Sequence, residues 1–420
     1  MALGFLLGAG AGVLAWLIWP GTEPVPGALD KTDLIRWVAA PVGTIFLNLL
    51  FMLVVPLLFS ALVLGIGGLG DLRSLGRVGL KTLAYTVTVS AIAVLLGVFL
   101  VDALRPGEGV PEADRAQLLS GLQERAGTVV GAAVAPRAGL DLLTGIVPRN
   151  PIAAMANGDM LAVMFFALLF GIGLQLTRTE AARRLEEAIQ GLYDVTMRLI
   201  GMVIALAPWG VAALMFSLTA GVGWSVLLPL SRYVGVVLLA LAIHQFGVYS
   251  LSVWLLGGMR PLTFFRGIRE AMITAFATAS SNATLPTALK VAEEELKLPK
   301  HVSRFVLTIG STANQNGTAL FEGVTVLFLA QFFGVDLSVG QQLLVCGVCV
   351  LGGIGTAGVP AGSLPVVAMI LGMVGLPPEG IGLILGVDRF LDMCRTTLNV
   401  SGDLAAAVVV SRGEVMPSGT

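Results

Sequence analysis

The chain is poor in charge. Only 12% of its 420 residues are Asp, Glu, Lys or Arg, and 56% are hydrophobic; an average soluble domain carries about 25% charged residues. So few polar side chains cannot coat a soluble globule, and the composition is that of a polytopic membrane protein. Basic and acidic residues nearly cancel, at 25 and 26, so the chain has no electrostatic footprint for nucleic acid. Three cysteines and two histidines are too few for a disulfide framework or a His-rich metal site. Cys346 and Cys349 form a C-x-x-C pair, but on an apolar segment, where they read as small core residues. His244 and His301 stand alone and read as structural or interfacial. No nucleophile–base constellation is present, which argues against an enzyme. The first apolar run, 3–19, lacks a basic leader and a small-residue cleavage site, so it is expected to be a span and not a signal peptide.

What the chain does have is long apolar runs, most of them interrupted. Spans are expected at about 2–19, 34–64 (with Pro41 and Pro56), 80–104, 140–176 (broken at Pro148-Arg149-Asn150-Pro151), 180–219 (kinked at Pro208) and 225–256. The polar stretch 105–137 reads as one long loop. Beyond Gly258 the pattern changes. Residues 261–292 form two arms, each too short to span, around Ala279-Ser280-Ser281-Asn282-Ala283. A helix at 302–333 breaks at Asn314-Gln315-Asn316-Gly317-Thr318, and a second pair of arms at 340–374 flanks a tip at 355–363. The last apolar run is 380–411. The expected fold is therefore all-α: eight transmembrane helices plus two re-entrant helical hairpins. The order hairpin, broken helix, hairpin, polar helix is a repeated unit of the inverted-repeat kind, which points to a site near the membrane midplane.

That last helix carries the strongest signal. At 100° per residue, Asp388, Asp392, Arg395, Thr396, Asn399 and Asp403 fall in roughly a 100° stripe. Charges in the middle of a span are costly and need partners or a wet cavity. A structural ion pair would need fewer groups. A solute and ion site uses them all, with the Arg395 guanidinium forking a carboxylate.

Positive charges set the expected orientation. Arg73, Arg77 and Lys81, then Arg178, Arg183 and Arg184, then Arg260, Arg266 and Arg269, then Lys297, Lys300 and Arg304, and finally Arg412 fall on one side if both termini are cytoplasmic. The first hairpin then enters from the cytoplasm and the second from outside. The loop 105–138 lies outside the cell, since long loops translocate regardless of charge.

The chain resembles the glutamate transporter family of dicarboxylate/amino acid:cation symporters over nearly its whole length. The residues that carry the likeness are Val147-Pro148-Arg149-Asn150-Pro151, the serine-rich first tip, the Asn-x-x-Gly-Thr break, Gly355-Thr356-Ala357-Gly358-Val359-Pro360 and Asp-x-x-x-Asp-x-x-Arg-Thr-x-x-Asn-x-x-Gly-Asp. The resemblance implies a homotrimer in the cell membrane whose transport domains slide as elevators. Scaffold spans would lie at 1–74 and 139–220, and the transport domain at 75–104 and 221–420.

It also implies residue roles. Arg395 matches the group that binds the side-chain carboxylate of aspartate or glutamate, and Asp392 the group that binds the ammonium. Thr318, Thr396 and Asn399 match further substrate ligands, and Ser281 with Val359 matches the α-carboxylate cradle. A first sodium site would use Gly310, Asn314, Asn399 and Asp403, and a second Thr312 beside Gln315, where the family has methionine. A third would use an aspartate that is here Asn316, with Thr86, Val89 and Ser90. Losing that carboxylate and one hydroxyl argues against the third site. Glu322, in the apolar half of the same helix, resembles the glutamate of proton-cotransporting animal relatives and is the proton-coupling candidate. A carboxyl in an apolar site can carry a proton near neutral pH. A structural carboxyl satisfied by a neighbour is the plainer alternative. Ala279 stands where archaeal relatives have an arginine. Arg389 is expected to supply that charge, to pair with Asp388 or to snorkel.

The expected function is secondary symport of L-aspartate or L-glutamate with Na+ and, at Glu322, H+. The alternatives are a neutral amino acid or C4-dicarboxylate symporter of the same family, and a channel-like anion conductance.

Overall fold

The computed structural model describes residues 2–19, 31–68, 72–111, 147–157, 160–177, 179–222, 227–355 and 363–413, and every regular element among them is helical. Apolar segments that must pair all their backbone groups away from water have the helix as their natural solution.

The first half comprises α1 (Ala2–Ile18), α2 (Ala40–Phe51), α3 (Val54–Gly68), α4 (Leu72–Leu104), α5 (Pro151–Ala156), α6 (Met160–Leu176) and α7 (Glu180–Val222). Prolines shape it. Pro56 has no N–H for the carbonyl of Met52, and α2 and α3 part at residues 52–53. Pro208 frees the carbonyl of Ile204 in the same way, and α7 bends by 51° between Glu180–Val203 and Ala205–Ala220. At the expected break near 150, Asn150 caps α5 by accepting from the backbone N–H of Ile152 and Ala153 at 3.0 and 3.2 Å.

The second half comprises α8 (Leu227–Ile243), a π-helical turn (His244–Val248), α9 (Tyr249–Leu255), α10 (Pro261–Gly267), α11 (Arg269–Thr278), α12 (Ser281–Lys290), α13 (Lys300–Ala313), α14 (Asn316–Phe333), α15 (Val339–Gly355), α16 (Ser363–Met373) and α17 (Leu385–Ser411). Helices α11 and α12 lie side by side about a two-residue turn. Ala279 there takes the left-handed conformation at φ 49°, and Ser280 caps α12 through the Ala283 N–H at 3.2 Å. Lys290 reaches both oxygens of Glu270 at 3.1 Å and ties the far ends of the two arms. Arms α15 and α16 also pack together. The expected tip between them, Val359 included, falls at 356–362, outside the described residues.

Two boundaries differ from expectation. The break before α14 is only Asn314–Gln315, because the side chain of Asn399 accepts the Gly317 N–H at 2.7 Å and helix resumes by Asn316. The last helix starts at Leu385, since Pro377 and Pro378 lead into a 3-10 turn (Pro378–Leu383).

Among the described residues, Arg77–Leu104, Leu227–Leu255 and Val302–Phe333 are each long and apolar enough to cross a membrane, and the two limbs of α7 together make a fourth. Helix α17 is long enough but charged. Around α7 pack α1, α2 and α3, with α6 on α3; around α14 pack α4, α8, α15, α16 and α17. A Cβ on Gly4 or Gly8 would come within 2.1–2.2 Å of the backbone carbonyl of Pro208 or Ala212, and one on Gly12 within 2.1 Å of the Thr219 hydroxyl, so these glycines let α1 lie directly against α7. Every residue of α14 except Gln331 is buried. Large apolar side chains such as Leu6, Leu14, Phe99, Trp209 and Trp254 face outward, a surface suited to hydrocarbon.

Candidate functional site

The polar stripe of α17 faces inward. Asp388, Asp392, Arg395, Thr396, Asn399 and Asp403 are all 4% exposed or less, packed among α4, α8, α11, α13 and α14. The helical period puts them on one face; burial of that face is what makes them costly and therefore informative.

Arg395 is the largest fully buried side chain among the described residues. Its Nε donates to Asp392 Oδ1 at 2.9 Å and its Nη1 to Asp388 Oδ1 at 3.1 Å. Its guanidinium carbon lies 4.3 Å from the ring centre of Phe321, on α14. Two of five guanidinium donors thus hold two carboxylates. Arg389, 44% exposed, approaches the other oxygen of Asp392 at 3.8 Å. Of the three fates open to Arg389, pairing with Asp388 is not seen: Arg395 takes Asp388 instead, because seven residues bring the two onto one face, whereas neighbours in sequence diverge by 100°.

One turn further, Asn399 crosslinks the break. Its Nδ2 donates to Gln315 Oε1 at 2.6 Å and Thr318 Oγ1 at 3.2 Å. Another turn on, Asp403 accepts from Asn314 Nδ2 at 2.9 Å, and a Cβ on Gly310 would fall 2.5 Å from its Oδ1. The Oδ1 of Asn314 is buried with no hydrogen-bond partner, and Asp403 has no ion-pair partner among the described residues. A buried carboxylate, an orphaned oxygen on the amide that bonds it and the neighbouring backbone of Gly310 are hard oxygen ligands of the types that a small cation takes. Thr312 lies in α13, near the Gly310 end of this set.

Ser281 opens α12 at the first turn; its hydroxyl is buried without a partner. It makes no bond to Arg395 or Asp392, so it and the Arg395 cluster share the α12–α17 contact and no direct link. Glu322 is 0% exposed, both its oxygens are without a hydrogen-bond partner among the described residues, and a Cβ on Gly352 of α15 would lie 3.0 Å from Oε2. It stands between α14 and the second pair of arms. Among the described residues no neighbouring donor satisfies this carboxyl, as the plainer alternative would require.

Sequence reasoning did not find Phe321, which reads as one more apolar residue of a buried helix. It also missed that Tyr233 Oη bonds Thr325 at 2.8 Å and stacks on Phe328. A tyrosine inside a span was the available signal. The assembled geometry offers a fixed cation, two fixed anions and neutral donors in a dry setting, beside an oxygen cluster fit for a small cation. That arrangement suits a charged polar solute with small cations, and no activated nucleophile stands in it among the described residues.

The model of the Sodium:dicarboxylate symporter family matches residues 1–413. The chain is 35% identical over 383 residues to the proton/glutamate-aspartate symporter of Escherichia coli, covering 89% of this chain and 85% of that protein. It is 36% identical over 381 residues to the proton/glutamate-aspartate symporter of Bacillus subtilis, covering 89% and 88%. It is 31% identical over 421 residues to the proton/sodium-glutamate symport protein of Bacillus subtilis, covering 99% and 93%.

Proposed function

Because the chain belongs to the Sodium:dicarboxylate symporter family, a family of multi-pass membrane transporters and not of enzymes, we propose that it takes up L-aspartate or L-glutamate together with Na+ and H+. The observation that carries this reading is the buried Arg395–Asp392 pair, at 2.9 Å, beside Thr318 and Asn399. An acidic amino acid is a zwitterion with one extra carboxylate. It needs one fixed cation, one fixed anion and neutral donors, and it exchanges the internal pair for two intermolecular ones. Arg395 takes the side-chain carboxylate, Asp392 the ammonium, Thr318, Thr396 and Asn399 the remaining polar atoms, and Ser281 with Val359 the α-carboxylate. A C4-dicarboxylate lacks the ammonium and would leave Asp392 facing it as a like charge, so an amino acid fits better.

Sodium is carried at Asp403, Gly310, Asn314 and Asn399, and a second ion near Thr312. Supporting this are the buried Asp403 carboxylate and the orphaned Asn314 oxygen. Glu322 carries the proton, a role supported by its complete burial without partners and by the relatives named for proton symport.

The packing also suits a division of labour. The bundle around α7 (1–74 and 139–220) is the scaffold; residues 75–104 of α4 with 221–420 are the mobile transport domain, with α11–α12 and α15–α16 as re-entrant hairpins in an inverted repeat. Eight spans then cross the cell membrane with both termini cytoplasmic, and three copies assemble through their scaffolds.

The test is uptake of radiolabelled L-aspartate and L-glutamate into proteoliposomes under separate sodium and proton gradients. Saturable accumulation driven by sodium, and enhanced by an inward proton gradient, is expected. Currents without accumulation would indicate a conductance instead, and accumulation of neutral amino acids or dicarboxylates alone would overturn the substrate assignment.

A further inference from the structure

We propose that Asn316 replaces a third cation site with a neutral hydrogen-bonded tie, so that this chain carries one sodium fewer per solute than its resemblance to the family implies. The inference rests on the symport reading for its consequence, and on the geometry of the break for its substance.

Asn316 is completely buried. Its Oδ1 accepts from Ser90 Oγ on α4, and its Nδ2 donates to Tyr249 Oη on α9 at 3.0 Å. Both ends of the amide are therefore committed, each to a different helix. The same two helices are joined again close by: Tyr85 Oη and Ser252 Oγ bond at 3.0 Å, and Ser252 donates to the Tyr249 carbonyl at 3.0 Å. Helix α17 closes the remaining side. A Cβ on Gly402 would lie 2.3 Å from Tyr249 Oη and 3.0 Å from Asn316 Nδ2, so backbone occupies the space beside the amide.

A bare cation here would meet three obstacles. Leaving water costs several kcal/mol unless a negative charge compensates, and the groups of this tie are all neutral. The amide presents an N–H toward Tyr249, which repels a cation where a carboxylate oxygen would attract one. The α4 face keeps the hydroxyls of Thr86 and Ser90 but has the apolar Val89, also buried, where the resemblance calls for a third hydroxyl. What a bound ion would do for the break, holding α14 to α4 and α9, the amide already does.

The experiment uses the purified full chain. The thermal unfolding midpoint is followed against NaCl concentration, with choline chloride holding ionic strength constant. A ligand that binds only the native state raises stability with the logarithm of its concentration, in proportion to the number bound. Asn316→Asp places a carboxylate between Ser90 and Tyr249 and should steepen that dependence by about one ion. In proteoliposomes the sodium-to-solute ratio at zero net flux should rise by one as well. Equal slopes and ratios in wild type and Asn316→Asp would overturn the proposal.

Ser90→Ala and Tyr249→Phe serve if the Asn316→Asp protein does not fold. Each cuts one end of the tie. Each should lower the sodium-free midpoint and leave the sodium slope unchanged. A reduced slope in either would mean that these hydroxyls ligate an ion, and would overturn the proposal. Absence of acidic amino acid uptake in every gradient would refute the symport reading alone, since the slopes decide the present question without transport.

Discussion

Replacing Arg395 by glutamine tests the substrate assignment most directly, and the surroundings of the residue set the scale of the effect. Arg395 neutralises Asp388 and Asp392 at 3.1 and 2.9 Å, and all three side chains are buried. Together with Arg389 the four groups sum to zero formal charge. Removing the guanidinium leaves one net negative charge buried, which destabilises by about 3–5 kcal/mol. A loss of transport in the single variant would therefore be ambiguous. Adding Asp388→Asn restores the balance and should recover most of the unfolding midpoint, while leaving nothing to hold the substrate's side-chain carboxylate. Losing a buried charge-assisted partner costs about 2–5 kcal/mol, or roughly 30- to 4,000-fold in affinity. Uptake of aspartate by Arg395→Gln/Asp388→Asn should weaken by that factor in proteoliposomes, and serine or asparagine should compete where the wild type ignores them. Aspartate affinity within threefold of wild type, or equal loss for acidic and neutral substrates, would refute the role assigned to Arg395.

Glu322→Gln keeps the shape of a buried group with no partners and should leave sodium-driven uptake intact while flattening its pH profile; an unchanged profile would remove Glu322 from proton coupling. Asp403→Asn should raise the sodium concentration for half-maximal uptake at least tenfold, about 1.4 kcal/mol, because the buried carboxylate is the only formal charge in its oxygen cluster; unaltered sodium dependence would count against that site. Gly8→Ala forces a methyl within 2.2 Å of the Ala212 carbonyl, whereas Gly10 has nothing within 4 Å. Thermal unfolding should show a loss of about 1–3 kcal/mol for the first and no change for Gly10→Ala.

Much of this molecule was legible in one dimension, because the signals concerned are local. The stripe from Asp388 to Asp403 follows from 3.6 residues per turn alone, and burial of all six positions followed from the cost of charge in a span. The two-armed segment at 261–292 and the kinks at Pro56 and Pro208 were readable from arm length and from the missing proline N–H. Their exact limits were less so. The break shrank to Asn314–Gln315 because Asn399, more than eighty residues away, accepts the Gly317 N–H, and local propensity knows nothing of that bond.

Partner choice was decided only by the tertiary structure. Sequence offered Arg389 several fates, and the fold gave it Asp392 by committing Asp388 to Arg395. Phe321 and Leu320 look alike in a uniformly apolar helix; only the packing of α14 on α17 sets one ring against the guanidinium. The glycine spacing of α1 gained meaning from the backbone of α7 lying against it. Asn316 could be read as a lost charge, but that Ser90 and Tyr249 close around its amide depends on three helices meeting at one point. Periodicity fixes which face of a helix is polar; what that face touches depends on how distant segments cross.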